Sequence, residues 1–270
     1  MPELAEVETV RNTLKKSLLG HRINKVEVFY QPIIENDLNT FKKALEGTSF
    51  CDIKRKGKYL IFETEKNYLI SHLRMEGKYF IKGLKEPKEK HEHIFFYYDD
   101  FTLRYHDTRK FGRMKVINKD ELDTYFKDLG PDANSNDIDI DKVYNKIKSK
   151  SLSIKELLLD QSIIAGLGNI YVDEVLYATK INPLKKGCNV TKDNIIDILN
   201  NSKKILDKAI EEKGCTIRSY TSSLGVYGNY QNFLKVHTKE GQKCECGDII
   251  KKIRVGGRGT YYCPTCQKDE

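Results

Sequence analysis

Leu4, Val7, Val10, Leu14 and Leu18 recur at helical spacing with charged residues between them, so the chain opens with an amphipathic helix that Gly20 stops. The period then changes. Short alternating stretches at 23–30, 49–54, 59–63, 68–72, 78–81, 93–98, 102–105 and 114–117 are rich in β-branched and aromatic residues, with Gly, Asn and Asp between them. They predict the strands of a sandwich or barrel, interrupted by one helical run at 40–46. After Gly130 the pattern turns helical again, over 143–148, 154–160, 171–179 and 195–211. The stretch 214–233 carries Ser, Thr, Gly and Tyr with little apolar periodicity, and loops of that length are functional or unstructured. The expected division is a β-rich domain at 1–130, a polar linker at 131–141, a helical domain at 142–235 and a cysteine-bearing tail at 236–268. The fold class is α+β in two domains.

Composition sharpens this picture in three ways. A chain of 270 residues is long enough for two cores. Its net charge of +8 suits a polyanionic partner such as nucleic acid. The charged start from Glu3 onward and the lack of a long apolar run predict a cytoplasmic chain with no leader and no membrane span.

The cysteines carry the strongest local motif. Four of the seven are Cys244, Cys246, Cys263 and Cys266, crowded into the tail. In a reducing compartment such clustering favours metal over disulfides. Two thiolate pairs flanking a hairpin predict one structural, tetrahedral Zn2+, although Cys244-Glu245-Cys246 is one residue shorter than the usual knuckle. The hairpin is basic, with Arg258 between Gly257 and Gly259, as expected of a phosphate-binding finger.

Other candidates are weaker in isolation. The start Met1-Pro2-Glu3-Leu4-Ala5-Glu6 reads either as a capped helix with a solvated acidic face or as a nucleophile. If Met1 is removed, Pro2 becomes a secondary amine able to attack an electrophilic carbon, with Glu3 and Glu6 one turn apart beside it. Lys54-Arg55-Lys56-Gly57-Lys58 is a solvated turn or a phosphate contact. Met75 lies near a turn, where a lone Met is more often core. Arg109 and Phe111 share a glycine-ended loop able to insert into a base stack. Gly166-Leu167-Gly168-Asn169 precedes a helix whose first N–H groups can bind phosphate.

Taken together, these stretches resemble the formamidopyrimidine-DNA glycosylase family along the whole chain. The anchors are Pro2-Glu3-Leu4 with Glu6-Val7-Glu8, Lys58-Tyr59-Leu60, Asp107 to Gly112, Gly166 to Tyr171, and Gly257-Arg258-Gly259-Thr260 before the last cysteine pair. The resemblance implies an N-terminal β-sandwich with flanking helices, then a helix-two-turn-helix unit and a β-hairpin zinc finger, with DNA held in a basic cleft between the two halves. It implies a bifunctional glycosylase and abasic-site lyase acting as a monomer on double-stranded DNA that contains oxidised purines or abasic sites. Pro2 would be the nucleophile at C1′, Glu3 the acid/base and Glu6 a supporting carboxylate. Lys58 and Arg258 would serve β- and δ-elimination. Met75, Arg109 and Phe111 would fill the gap left by the flipped base, while His91, Lys150, Lys155 and Asn169 would contact DNA. A lesion-capping loop is expected at 216–230.

Ala5 departs from the family's usual proline, and the short knuckle is a second departure. The alternatives are an endonuclease VIII-like enzyme for oxidised pyrimidines and a non-catalytic zinc-containing DNA-binding protein. The second leaves Pro2-Glu3 and the Met75/Arg109/Phe111 set without a purpose.

Overall fold

The computed structural model describes residues 1–215 and 227–268, in two compact units. The first comprises 1–127 and 213–228. Its opening helix, α1 (Leu4–Leu18), buries the stripe of Leu4, Val7, Val10, Leu14 and Leu18. Eight strands follow: β1 (Lys25–Val28), β2 (Asp52–Lys56), β3 (Tyr59–Glu63), β4 (Asn67–His72), β5 (Lys78–Gly83), β6 (Glu92–Tyr97), β7 (Phe101–His106) and β8 (Arg113–Asn118). They form two four-stranded antiparallel sheets, ordered β1-β6-β7-β5 and β2-β3-β4-β8. Ile53, Leu60, Phe62 and Leu69 of one sheet share a single core with Tyr79, Phe96, Leu103 and Tyr105 of the other, and α1 packs into that core. This is a sandwich with flanking helices.

Two smaller helices complete the unit. In α2 (Leu38–Leu45) the Asp37 carboxylate accepts from Asn39 N at 2.9 Å and Thr40 N at 3.0 Å, an N-cap that starts the helix two residues ahead of the apolar pattern. The short α3 (Leu122–Tyr125) has too few residues for its period to be read from sequence. A register shift between Glu92 and Ile94 leaves His93 outside the regular β6–β7 pairing.

The second unit comprises 128–212 and 229–270, of which 269 and 270 lie outside the described residues. Its helices are α4 (Ile140–Lys148), α5 (Ile154–Leu159), α6 (Asn169–Ala178) and α7 (Lys192–Glu211). Ser153 and Thr191 supply capping boxes for α5 and α7, which is why α7 begins before its first apolar residue. The hairpin β9 (Lys251–Val255) and β10 (Arg258–Tyr262) turns on Gly256 and Gly257, both at positive φ, the geometry that a two-residue turn between twisted strands requires.

Two expected boundaries move. The segment 131–141 is tied down as part of the second unit. Ala133 N bonds Ala165 O at 2.9 Å, Ala165 N bonds Pro131 O at 2.8 Å, and Asn134 donates to Asp207. The cysteine tail is also continuous with the helices, because the Glu174 carboxylate on α6 accepts from the backbone N–H groups of Lys235, Val236 and His237 at 2.7–3.0 Å. Among the described residues no helix is long and apolar enough to cross a membrane.

Candidate active site and nucleic-acid interface

The first turn of α1 is not a solvated acidic face. Pro2 is buried, Glu3 is 2% exposed and Glu6 is 4% exposed. Glu6 accepts from Glu3 N at 2.8 Å through one oxygen and from Cys215 N at 2.8 Å through the other. Gly214 lies between at φ +79°, where a Cβ would run into the Glu6 carboxylate. Glu8, on the neighbouring face, pairs with Arg11 and with Arg55 at 2.8 Å, and Arg55 also holds Gly57 O at 3.0 Å. That contact fixes the β2–β3 turn and thereby the position of Lys58, which is buried rather than solvated.

His72, at the end of β4, was not a sequence candidate. Burial, reinforced by the positive charges of Arg74 and Lys58, pushes its pKa down to about 3. Its neutral Nδ1 accepts from Arg74 N at 2.9 Å, which holds Arg74 at positive φ just ahead of Met75.

A cleft of about 370 Å³ is lined by Met1, Arg74, Met75, Phe111 and Arg113. Phe111 is 47% exposed, and the Arg109 guanidinium stacks 4.7 Å from its ring centre, so Met75, Arg109 and Phe111 come together. Their loop is held from inside by Asp107, whose carboxylate accepts from Arg109 N at 3.0 Å and Gly112 N at 2.8 Å. Arg113 holds it from the other side through the Phe111 and Gly112 carbonyls. The backbone of Asp107 bonds His91 O and the His93 ring, so His91 is anchored to the same loop. Fully buried Arg104 ties down the chain leading to His91 through the carbonyls of Gly83, Glu86 and Pro87 and the Glu92 carboxylate. Arg104 and Arg113 have no signal in the sequence, and Asp107 stood there only as part of an anchor without a role, since only tertiary partners distinguish them from other charged residues in strands and turns.

In the second unit, Arg258 is exposed at the hairpin turn. Asn169, the first residue of α6, donates to Gly259 O at 3.0 Å, while its own oxygen is buried with no hydrogen-bond partner among the described residues. Lys150 is partly exposed, 3.6 Å from Asp160. Lys155 departs from expectation. Its side chain is 0% exposed, with Nζ 2.6 Å from Asp173 and 3.3 Å from Gly259 O. A buried ammonium is tolerable only when paired in this way, and in this position Lys155 braces the hairpin. Asp173 also bonds the His237 ring at 2.8 Å and Tyr261 N at 3.2 Å.

The four tail cysteines offer sulfurs that all lie within 4.8 Å of one another. Tetrahedral zinc with bonds of about 2.3 Å places its sulfurs about 3.8 Å apart. Cys244 and Cys266 are separated by 3.8 Å, and Cys246 and Cys263 by 3.5 Å. The donor set therefore fits one structural zinc, short knuckle included.

Family models match in the same order as these parts. The formamidopyrimidine-DNA glycosylase N-terminal domain covers residues 1–114, the formamidopyrimidine-DNA glycosylase H2TH domain 129–221, and the zinc finger found in FPG and IleRS 241–268. A formamidopyrimidine-DNA glycosylase of Streptococcus pneumoniae is 44% identical over 272 residues, spanning 99% of both chains. The chain belongs to the formamidopyrimidine-DNA glycosylase family. A second relative of that name, from Lactococcus lactis, is 45% identical and spans 99% of this chain and 100% of its own.

Solved structures agree with this membership in the formamidopyrimidine-DNA glycosylase family. A Lactococcus lactis FPG variant in complex with Fapy-dG-containing DNA is similar at a TM-score of 0.95 and 43% identity, covering 99% of this chain and 100% of that one. A complex of Lactococcus lactis Fpg with abasic-site DNA gives 0.94 at 44% identity, with the same coverage. Against the family's opening motif, Ala5 is fully buried within α1 and interrupts nothing. Most of the expected lesion-capping loop, 216–226, lies outside the described residues.

Proposed function

We propose that this protein is a bifunctional DNA glycosylase and abasic-site lyase of base-excision repair, acting as a cytoplasmic monomer on double-stranded DNA that carries oxidised purines or abasic sites. The observation that carries the reading is the place of Met1. It lines the same cleft as Met75 and Phe111, and its removal would give the free amine to Pro2, the next residue in the chain. Flipping the damaged nucleotide costs a few kcal/mol, and stacking by Phe111 and Arg109 recovers roughly 1–3 kcal/mol per contact.

The Pro2 nitrogen then attacks C1′. The glycosidic bond breaks, the base leaves with a proton, and Glu3 protonates the ring oxygen as the sugar opens to an iminium ion. Loss of a C2′ proton expels the 3′ phosphate, and a second elimination expels the 5′ phosphate. Lys58 and Arg258 serve these eliminations and hold phosphate charge, and Asn169, Lys150 and His91 contact the DNA backbone. The family relationship favours oxidised purines over pyrimidines, and the 216–230 segment is assigned to capping the extruded base.

Borohydride reduction during turnover is the test. The Met1-free chain is expected to become covalently attached to 8-oxoguanine DNA, while a chain extended at its N-terminus binds lesion DNA but is neither trapped nor able to cut. Equal trapping of both chains rules out Pro2 as the nucleophile. Preferential trapping on oxidised pyrimidines moves the protein to the endonuclease VIII-like class.

A further inference from the structure

The short zinc knuckle raises a question of its own. Cys244 and Cys246 are joined by Glu245 alone, so the loop between these ligands has one fewer backbone N–H to aim at the first sulfur than a two-residue link provides. A thiolate that binds metal while short of hydrogen bonds is more basic and more easily lost, and such outer partners commonly tune metal sites.

Cys246 N–H is one donor to that sulfur, and a second comes from elsewhere in the fold. The Tyr177 hydroxyl lies 3.2 Å from Cys244 Sγ. A metal-bound thiolate can only accept, so Tyr177 is the donor. Its ring packs against the small core of Val236, Cys244, Ile250 and Cys263 that underlies the finger. Tyr177 is also in register with two other contacts. Asn169, Asp173 and Tyr177 are spaced by four on α6 and so share one helix face. Along that face Asn169 bonds Gly259 O, Asp173 bonds Tyr261 N and Tyr177 bonds Cys244 Sγ. One helix thus engages the finger at two points on its second strand and at a metal ligand.

We propose that Tyr177 is a metal-positioning residue, the outer donor that compensates for the shortened Cys244–Cys246 knuckle and ties the zinc to α6. Its hydroxyl acts through the Cys244 sulfur.

Tyr177→Phe keeps the ring and its packing and removes only the hydroxyl. Zinc-loaded Tyr177→Phe is expected to hold metal about tenfold more weakly in competition with a chelator, the lower end of outer-partner effects. In the cobalt-substituted protein the sulfur-to-metal charge-transfer band should move to longer wavelength, because a thiolate without its hydrogen bond gives up electron density more easily. Packing alone would not move that band. Unchanged affinity together with an unchanged band overturns the proposal. Inserting one glycine between Glu245 and Cys246 tests the compensation, since the restored two-residue link should shrink the Tyr177→Phe effect to less than about threefold. An undiminished effect in that background overturns the compensating role.

Discussion

At the scale of single residues, the base-gap loop depends on a position with no side chain. A Cβ at Gly112 would overlap the Tyr105 hydroxyl, which sits beside Asp107. Gly112→Ala is therefore expected to displace the loop carrying Arg109 and Phe111 and to weaken binding of lesion DNA in a filter or anisotropy assay, while the zinc content stays unchanged. Tyr105→Phe in the same chain removes the overlapping oxygen and should recover part of the binding. Unaltered affinity in the single variant would show that the loop adapts around the extra methyl.

At the scale of elements, the brace beneath the hairpin is the most exposed to single substitutions. Lys155 and Asp173 are both 0% exposed and joined at 2.6 Å. Asp173→Asn strands a buried ammonium and weakens the acceptor for His237 and Tyr261, so stability should fall by about 3–5 kcal/mol in urea unfolding. Lys155→Met with Asp173→Leu removes both charges and should cost less than the single change, although His237 and Tyr261 N still lose their acceptor. If the double variant is the worse of the two, burial of the charged pair is not what Asp173→Asn disturbs.

The sequence showed the elements far better than the brace. Strands were legible because alternation tracks a one-sided core, and β3 was found with both ends correct at 59 and 63. Starts of α2 and α7 were missed because caps, not apolar residues, set them. Pro2, Glu3 and Glu6 suggested a nucleophile with carboxylates beside it from the residues alone, but a capped helix explained the same pattern, and the family resemblance was needed to favour the chemistry. The burial of Lys155 was not legible, because a lysine's address, surface or interior, depends on a partner eighteen residues away in the chain that no local pattern reveals.

At the scale of the whole molecule, buried histidines set the response to acid. His72 is held near a pKa of about 3, and burial lowers His93 and His106 as well. The unfolded chain takes up protons on these rings near the ordinary 6.5, and the native chain refuses them. Their contribution is therefore complete above pH 6.5 and is lost progressively as pH falls toward 3. Glu27, Asp52 and Glu63, lowered mainly by hydrogen bonds from lysines, add a second loss only below their ordinary carboxylate range. The urea midpoint should drop between pH 7.5 and 5, before those carboxylates titrate, and His72→Gln should flatten that part of the curve. An unchanged slope in His72→Gln would assign the loss to other groups.

The stripe of Asn169, Asp173 and Tyr177 has a consequence for portability. Small zinc-bound hairpins are often treated as cassettes that can be cut from one protein and sewn into another. Here the partners of Gly259, Tyr261 and Cys244 stay behind on α6, as does the Glu174 carboxylate that gathers residues 235–237. A synthetic peptide of 236–268 should capture zinc yet show poorly dispersed amide signals in its NMR spectrum, whereas a fragment beginning before α5 should give a folded one. A transplant would have to carry the helix with it, and lineages that exchange such fingers would be expected to inherit helix and hairpin as one indivisible cassette.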